Sequence, residues 1–177
     1  MNMIVAYCKN NGIGIKNTIP WYIPKDFRRF KKLTEITNNK ETSNIIMGRN
    51  TWDSLPRKPL PERNNIILSN TLTYSEVKKY DNISIFSKKC ELDTHIMELT
   101  EKKAPVWIIG GSFLYNHYIN HPYLDKIYIT KILHDYECDT FFPSIPSNFS
   151  CVSTSEVHNY KDIDYQFLIY KNNLGVF

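Results

Sequence analysis

Short apolar runs, each too short for a helix and each closed by a glycine or polar break, recur along this chain. Met3 to Tyr7, Asn44 to Met47, Ile66 to Leu68, Ile83 to Phe86, Val106 to Ile109 and Leu124 to Thr130 read as strands. Met3 to Tyr7 and Val106 to Ile109 lack polar alternation, which is the mark of strands buried on both faces. Helical patterns fall between them, from Pro24 to Ile36, from Leu92 to Glu101, and from Phe113 onward. The stretch from Ile36 to Ser43 is polar and turn-like. Prolines 56, 59 and 61 stiffen the loop before Ile66. Late in the chain, Phe149 to Val157 and Tyr165 to Tyr170 alternate as antiparallel strands do, and pair across a turn from His158 to Asp164. The plan is an α/β fold, one mixed sheet covered on both faces, in a single domain spanning 1–177.

Composition narrows this little. A chain of 177 residues holds a sizeable core in one domain. The formal charge of +4 favours anionic partners without naming one. Its densest basic cluster, Arg28, Arg29, Lys31 and Lys32, reads as a solvated face of the first helix. No zinc finger, arginine-rich tail or aromatic RNA-binding segment supports a nucleic-acid partner. Cys8, Cys90, Cys138 and Cys151 form no CxxC pair and suit free thiols in a reducing compartment. No apolar run approaches a membrane span, and no basic flank marks a signal peptide, so a cytoplasmic protein is expected. His117 and His121 lack the HExxH pattern, and no metal is expected. Neither a GxSxG elbow nor a GxxxxGK[ST] loop occurs.

Candidate chemistry gathers in GIGIKNTIPWYIPKDFRRF, residues 12–30. Pro24 suits a first helical position, and Asp26 beside it is favoured by the helix dipole. Asp26 shares its side of the helix with Phe30 and Leu33, while Phe27 borders it. Two readings fit: a carboxylate capping its helix, or one held over an aromatic hollow where a flat heterocycle offers paired N–H donors. Gly48, Arg49, Asn50 and Thr51 follow a strand and fit either a phosphate site or a plain strand-to-helix turn. Gly110, Gly111 and Ser112 follow another strand before Phe113, Leu114 and Tyr115. There a cofactor could approach the main chain, or the turn is simply tight.

The blocks GIG, IPW with Pro24, Asp26 and Phe30, MGR·TW, L··R·NIILS, WIIGGS··Y, Y·T·I and D·ECDTFFP together resemble the dihydrofolate reductase family, in order and over essentially Met3 to Tyr170. The resemblance implies an eight-stranded mixed sheet, seven strands parallel and the C-terminal one antiparallel, with four flanking helices. It implies reduction of dihydrofolate by NADPH, with hydride going to C6 and a proton to N5, in a monomer binding a small folate and no metal. Asp26 matches the family's active-site acid and Thr130 the threonine bonded to it. Ile4, Phe27, Phe30 and Leu60 would line the pterin and aminobenzoyl pocket, with Val5, Ala6 and Ile109 giving backbone contacts. Arg63 would take the substrate's α-carboxylate. Gly110 and Gly111 match a diglycine joined by a cis peptide beside the nicotinamide. Ala6, Ile13, Gly14, Gly48, Arg49, Asn50, Thr51, Leu68, Ser69, Lys88, Ile109, Ser112, Phe113, Leu114 and Tyr115 fall on cofactor positions. Gly14 to Trp21 matches the mobile loop, which carries Trp21 to the catalytic centre.

Two departures stand out. Glu62 replaces the glycine many relatives carry before the arginine, and Asn70 replaces a vertebrate arginine on the cofactor's 2′-phosphate. The weight of Asn, Ile and Lys fits AT-rich coding DNA, as in a large DNA virus or a parasite. The rival readings are a catalytically silent folate- or nucleotide-binding protein, a related pterin- or flavin-pathway reductase, and an RNA-binding module.

Overall fold

Strands of continuous apolar residues send successive side chains to opposite faces, and here both faces find a cover. The computed structural model describes residues 1–35 and 41–175. In order these form β1 (Asn2–Tyr7), β2 (Gly12–Gly14), α1 (Pro24–Thr34), β3 (Ser43–Gly48), α2 (Arg49–Ser54), β4 (Arg63–Leu68) and α3 (Tyr74–Val77). There follow β5 (Ile83–Phe86), α4 (Lys89–Glu101), β6 (Val106–Gly110), α5 (Ser112–Tyr118), β7 (Lys126–Ile132), β8 (Thr140–Phe141), β9 (Phe149–Thr154), β10 (His158–Tyr160) and β11 (Ile163–Asn172). Met3, Val5, Ile46, Ile66, Ile108 and Ile129 pack on one face with Leu92 and Ile96 of α4 and Leu114 and Tyr118 of α5. Ile4, Ile45, Met47, Ile67, Trp107 and Ile109 pack on the other with Phe30 and Leu33 of α1, Trp52 of α2 and Val77 of α3.

The sheet runs β5-β4-β3-β6-β1-β7-β11. Neighbours from β5 through β7 are parallel, and β11 is antiparallel to β7. Along the far side of β11, β9 pairs with Leu168 to Asn172 and β10 with Ile163 to Tyr165. Both are antiparallel to β11, so they act as one edge strand interrupted at residues 155–157. Counted so, the mixed sheet has eight strands among the described residues, seven running one way and β11 the other.

Several expected boundaries move. The run from Leu124 starts as a strand two residues later, because fully buried Leu124 packs from the preceding loop. The strand also runs on to Ile132, so Thr130 lies inside β7 rather than at its end. The expected turn from His158 to Asp164 is largely strand; the reversal occurs at Lys161 and Asp162, with φ of 48° and 64°. Such left-handed pairs make the tight turns that match strand twist. Among the described residues there are five helices rather than four, α3 being a single turn closed by a capping box between Thr73 and Glu76. Helix α1 ends at Thr34, and the turn expected from Ile36 to Ser43 falls, for residues 36–40, outside the described residues.

The segment Asp135 to Pro143 has a role its composition did not reveal. Its β8 pairs with β2, and Asp139 Oδ2 accepts the Lys16 N–H at 2.8 Å while its own N–H donates to Gly14 O at 3.0 Å. The loop after Gly12 is thereby tied to the body of the protein. Trp21, 6% exposed, is seated against Tyr136 with ring centroids 5.3 Å apart.

Candidate active site

At the carboxyl ends of β1, β3, β4 and β6 lies a cavity of about 1080 Å³. Its wall brings together Ile4, Val5 and Ala6, loop residues Ile13, Gly14 and Trp21, Asp26, Phe27 and Phe30 of α1, and Leu60 and Arg63. Gly48 to Thr51, Leu68 and Ile109 to Tyr115 complete it among the sequence candidates. Thr130 stands behind the wall. Ser69 and Lys88 stand away from it: the Ser69 hydroxyl oxygen accepts from the N–H groups of Thr71 and Leu72, and Lys88 is exposed beside Glu91. The wall also holds Ile19, Tyr22, Leu55, Pro56 and Pro61, none of which the sequence marks as a binding residue. Prolines flanking Leu60 were a usable signal; Tyr22, 63% exposed at the rim, offered none.

Asp26 sits in the first turn of α1, where that helix meets β7. The register of β7 with β1 sets Thr130 opposite Ala6. The Thr130 hydroxyl, 1% exposed, donates to Asp26 Oδ1 at 2.6 Å. The carboxylate keeps partial contact with the cavity, yet the packed residues around it raise its pKa above the usual carboxylate range. Burial outweighs the opposing pulls of the Thr130 hydrogen bond and the Arg29 charge. Its other oxygen accepts no hydrogen bond from protein among the described residues. A ring bearing adjacent N–H groups would satisfy it.

Across the cavity, β6 bulges between its pairings Ile46↔Ile108 and Met47↔Gly110 and ends on a cis peptide between Gly110 and Gly111. Gly110 has φ of 120°, a conformation only glycine adopts readily. The Tyr115 hydroxyl lies 2.8 Å from the carbonyls of both Ile4 and Ile109, so one buried phenol ties β1 to β6 where the cavity opens. Helices α2 and α5 start on Gly48 and Gly111 with no side chain capping them. A Cβ on Gly48 would lie 3.8 Å from Gly111 N, so these two starts adjoin. Two adjoining uncapped starts beside bare glycine backbone fit a dinucleotide's pyrophosphate. Arg49 is already engaged: Nε donates to Asp53 at 2.7 Å and Nη2 lies 3.6 Å from Glu76.

Arg63 is 3% exposed, and its guanidinium donates to Thr34 Oγ1 at 2.8 Å and Pro61 O at 3.0 Å, with Glu35 at 3.2 Å. The neighbouring Glu62 has φ of 58°, the left-handed region where glycine is at ease. Its side chain is exposed and absent from the cavity wall. Asn70 is exposed and likewise off the wall. Among the described residues no group of three or more His, Cys, Asp or Glu is placed to hold a metal, and no helix is long and apolar enough to cross a membrane.

The model of the family described as dihydrofolate reductase matches residues 1–172 of this chain. The dihydrofolate reductase of Drosophila melanogaster is 38% identical over 151 residues, covering 84% of this chain and 81% of that protein. That of Sus scrofa is 35% identical over 187 residues, covering 98% of each. The viral dihydrofolate reductase of Saimiriine herpesvirus 2 is 34% identical over 190 residues, covering 100% of this chain and 87% of the relative. Insect, mammalian and viral relatives thus match to similar degree, and none singles out a viral source. A family match spanning nearly the whole sheet, together with near-full-length relatives, means that this chain belongs to the dihydrofolate reductase family.

Proposed function

We propose that this protein reduces 7,8-dihydrofolate to 5,6,7,8-tetrahydrofolate with NADPH. The observation that carries the reading is Asp26, a carboxylate bonded to Thr130 on one side and lining on the other the same cavity as the diglycine. Gly48, Thr51, Gly110, Gly111 and Ser112 would hold the cofactor, whose chemistry when bound is to supply the hydride for C6 of the pterin. The ionised Asp26 accepts two parallel hydrogen bonds from the pterin's 2-amino group and N3–H. That geometry fixes which ring face looks toward the diglycine. Its negative charge also makes N5 more basic, so a proton reaches N5 from water. Trp21 and Ile19 on the loop tied down by β8 limit water at the ring. The substrate's tail lies toward Arg63.

The test is loss of reduced-nicotinamide absorbance on adding dihydrofolate, run with NADPH and NADH in parallel. No loss with either would leave the silent binding protein; loss with another pterin in place of dihydrofolate would leave the related reductase. Because Arg49 is shared with Asp53 and Glu76 and is partly exposed, its hold on a 2′-phosphate is modest. Arg49→Ala should lower kcat/KM for NADPH about 10-fold, the scale of one exposed charge-assisted contact, and leave the value for NADH unchanged. An equal fall with both cofactors would assign Arg49 another role.

Arg63→Leu should weaken dihydrofolate binding by roughly 2–5 kcal/mol, as expected when one partner of a buried charge pair is removed. The same change strands Glu35 beside an apolar side chain, so the melting temperature should fall as well. Titration calorimetry with dihydrofolate and with a pterin lacking the glutamate tail separates the two effects. Unchanged affinity for dihydrofolate would overturn the assignment of Arg63 to the tail.

A further inference from the structure

The basic face of α1 is not uniformly solvated. Arg29, expected on it, folds inward beneath the helix toward β7. Its Nη1 donates to Ile129 O at 3.3 Å and to Thr130 Oγ1 at 3.4 Å. Its guanidinium carbon lies 4.5 Å from the centroid of the Phe167 ring and 6.0 Å from that of Tyr128. Stacking of this kind holds a planar cation in place without a carboxylate beside it.

The consequence lies in the Thr130 hydroxyl, which has one proton to give. Lone pairs on its oxygen meet the Arg29 N–H, while its proton is directed 2.6 Å to Asp26 Oδ1. An N–H to O–H to carboxylate chain therefore has a fixed direction, and each bond polarises the next. We propose that Arg29 is a positioning residue for the active-site carboxylate: it holds the Thr130 hydroxyl with its proton on Asp26, and its charge favours the carboxylate form inside the packed wall.

Other groups around Asp26 do not substitute for it. Tyr115 on α5 and Tyr165 on β11 are close enough to feel the Asp26 charge, and burial pushes both phenols up, so they stay neutral. Tyr128 on β7 is likewise raised by burial. Arg28 acts on Tyr165. Lys25 is turned to His158, with Nζ 3.3 Å from each ring nitrogen, and His158 in turn lies 3.8 Å from Glu156. Arg29 is the cation whose field lowers the Asp26 pKa against burial.

The catalytic meaning of this arrangement rests on the reductase reading; the electrostatics do not. The experiment is a ¹³C NMR titration of the Asp26 carboxyl in the protein without substrate or cofactor, with the resonance assigned by its loss in Asp26→Asn. Arg29→Leu and Arg29→Gln should each move the midpoint up by about one pH unit, the lower end of what a neighbouring arginine does to an aspartate. Arg29→Lys should return most of that change, since it restores charge but not the planar fork. Gln retains an N–H donor for Thr130, so it keeps the test intact if the leucine variant does not fold. A midpoint unchanged in Arg29→Gln overturns the proposal, as does a lysine variant that titrates like the glutamine one. Because the titration needs no turnover, either result leaves the reductase reading standing, and an inactive wild-type protein would leave the titration standing.

Discussion

Asp26→Asn should lower turnover of dihydrofolate by roughly 10²–10⁴-fold, the range over which a positioned acid or base contributes, while the protein becomes more stable at neutral pH. Asparagine still accepts the Thr130 hydroxyl, so the local geometry survives. What it lacks is the negative charge that grips the 2-amino and N3–H edge and raises the basicity of N5. The stability change follows from the direction of the Asp26 pKa, which burial raises in the folded state. Between the ordinary carboxylate value and that raised value, the native protein binds more protons than the unfolded chain, so stability falls as pH rises through the window. Above the raised value the ionised carboxylate costs its full amount, and asparagine removes it. A rise in melting temperature is expected at pH values above that raised pKa. The gain should shrink as pH falls and vanish below the ordinary carboxylate range. Melting curves across pH, beside a steady-state assay, check both halves. Near-normal turnover would remove Asp26 from the chemistry, and a gain that grows in acid would contradict its burial.

Much of this arrangement is legible in the residues because strands buried on both faces carry one unmistakable signature. Val106 to Ile109 and Asn44 to Met47 have nowhere to sit except between two layers, and the sheet is built from such runs. Ends are harder, since burial continues past them: Leu124 is as deeply buried as β7 itself while lying outside it. The late hairpin pairs as its alternation predicts, but the extent of its turn is hard to read for a different reason. Lys161 and Asp162 carry none of the glycine that usually marks left-handed turn positions, so the reversal looked longer than it is. The site divides in the same way. Asp26 declares itself by standing among aromatics after Pro24, whereas Arg29 reads as one more solvated cation. Its inward turn depends on Phe167, which is brought beside it only by the pairing of β11 with β7. The anchoring of the Gly12 loop by Asp139 is equally a contact between distant segments, and no local pattern announces it.

Gly110→Ala should remove both activity and several kcal/mol of stability, and the neighbouring glycine shows why the two positions differ. At φ of 120° an L side chain is strained before any contact is made. The added Cβ would then lie 3.1 Å from the Tyr115 hydroxyl oxygen and 3.2 Å from two of its ring carbons. That ring cannot retreat freely, because its hydroxyl spans Ile4 O and Ile109 O at 2.8 Å each and its edge packs on Phe142 at 5.0 Å. Relief must come from the exit of β6, which displaces the wall facing Asp26. Strain and overpacking together set a loss of about 2–5 kcal/mol, and a shift of the wall by an ångström lowers turnover roughly 10²-fold. At Gly111 φ is −80° and the nearest atom to an added Cβ is Thr51 Oγ1 at 3.5 Å, an ordinary contact. Gly111→Ala should therefore melt like the wild type while losing NADPH affinity, because its methyl group occupies the space between the two helix starts. Thermal melts and NADPH titrations of the two variants separate a strained backbone from a filled cradle. If both melt as the wild type does, Gly110 is not a strained position; if both bind NADPH normally, the cofactor does not lie along this diglycine.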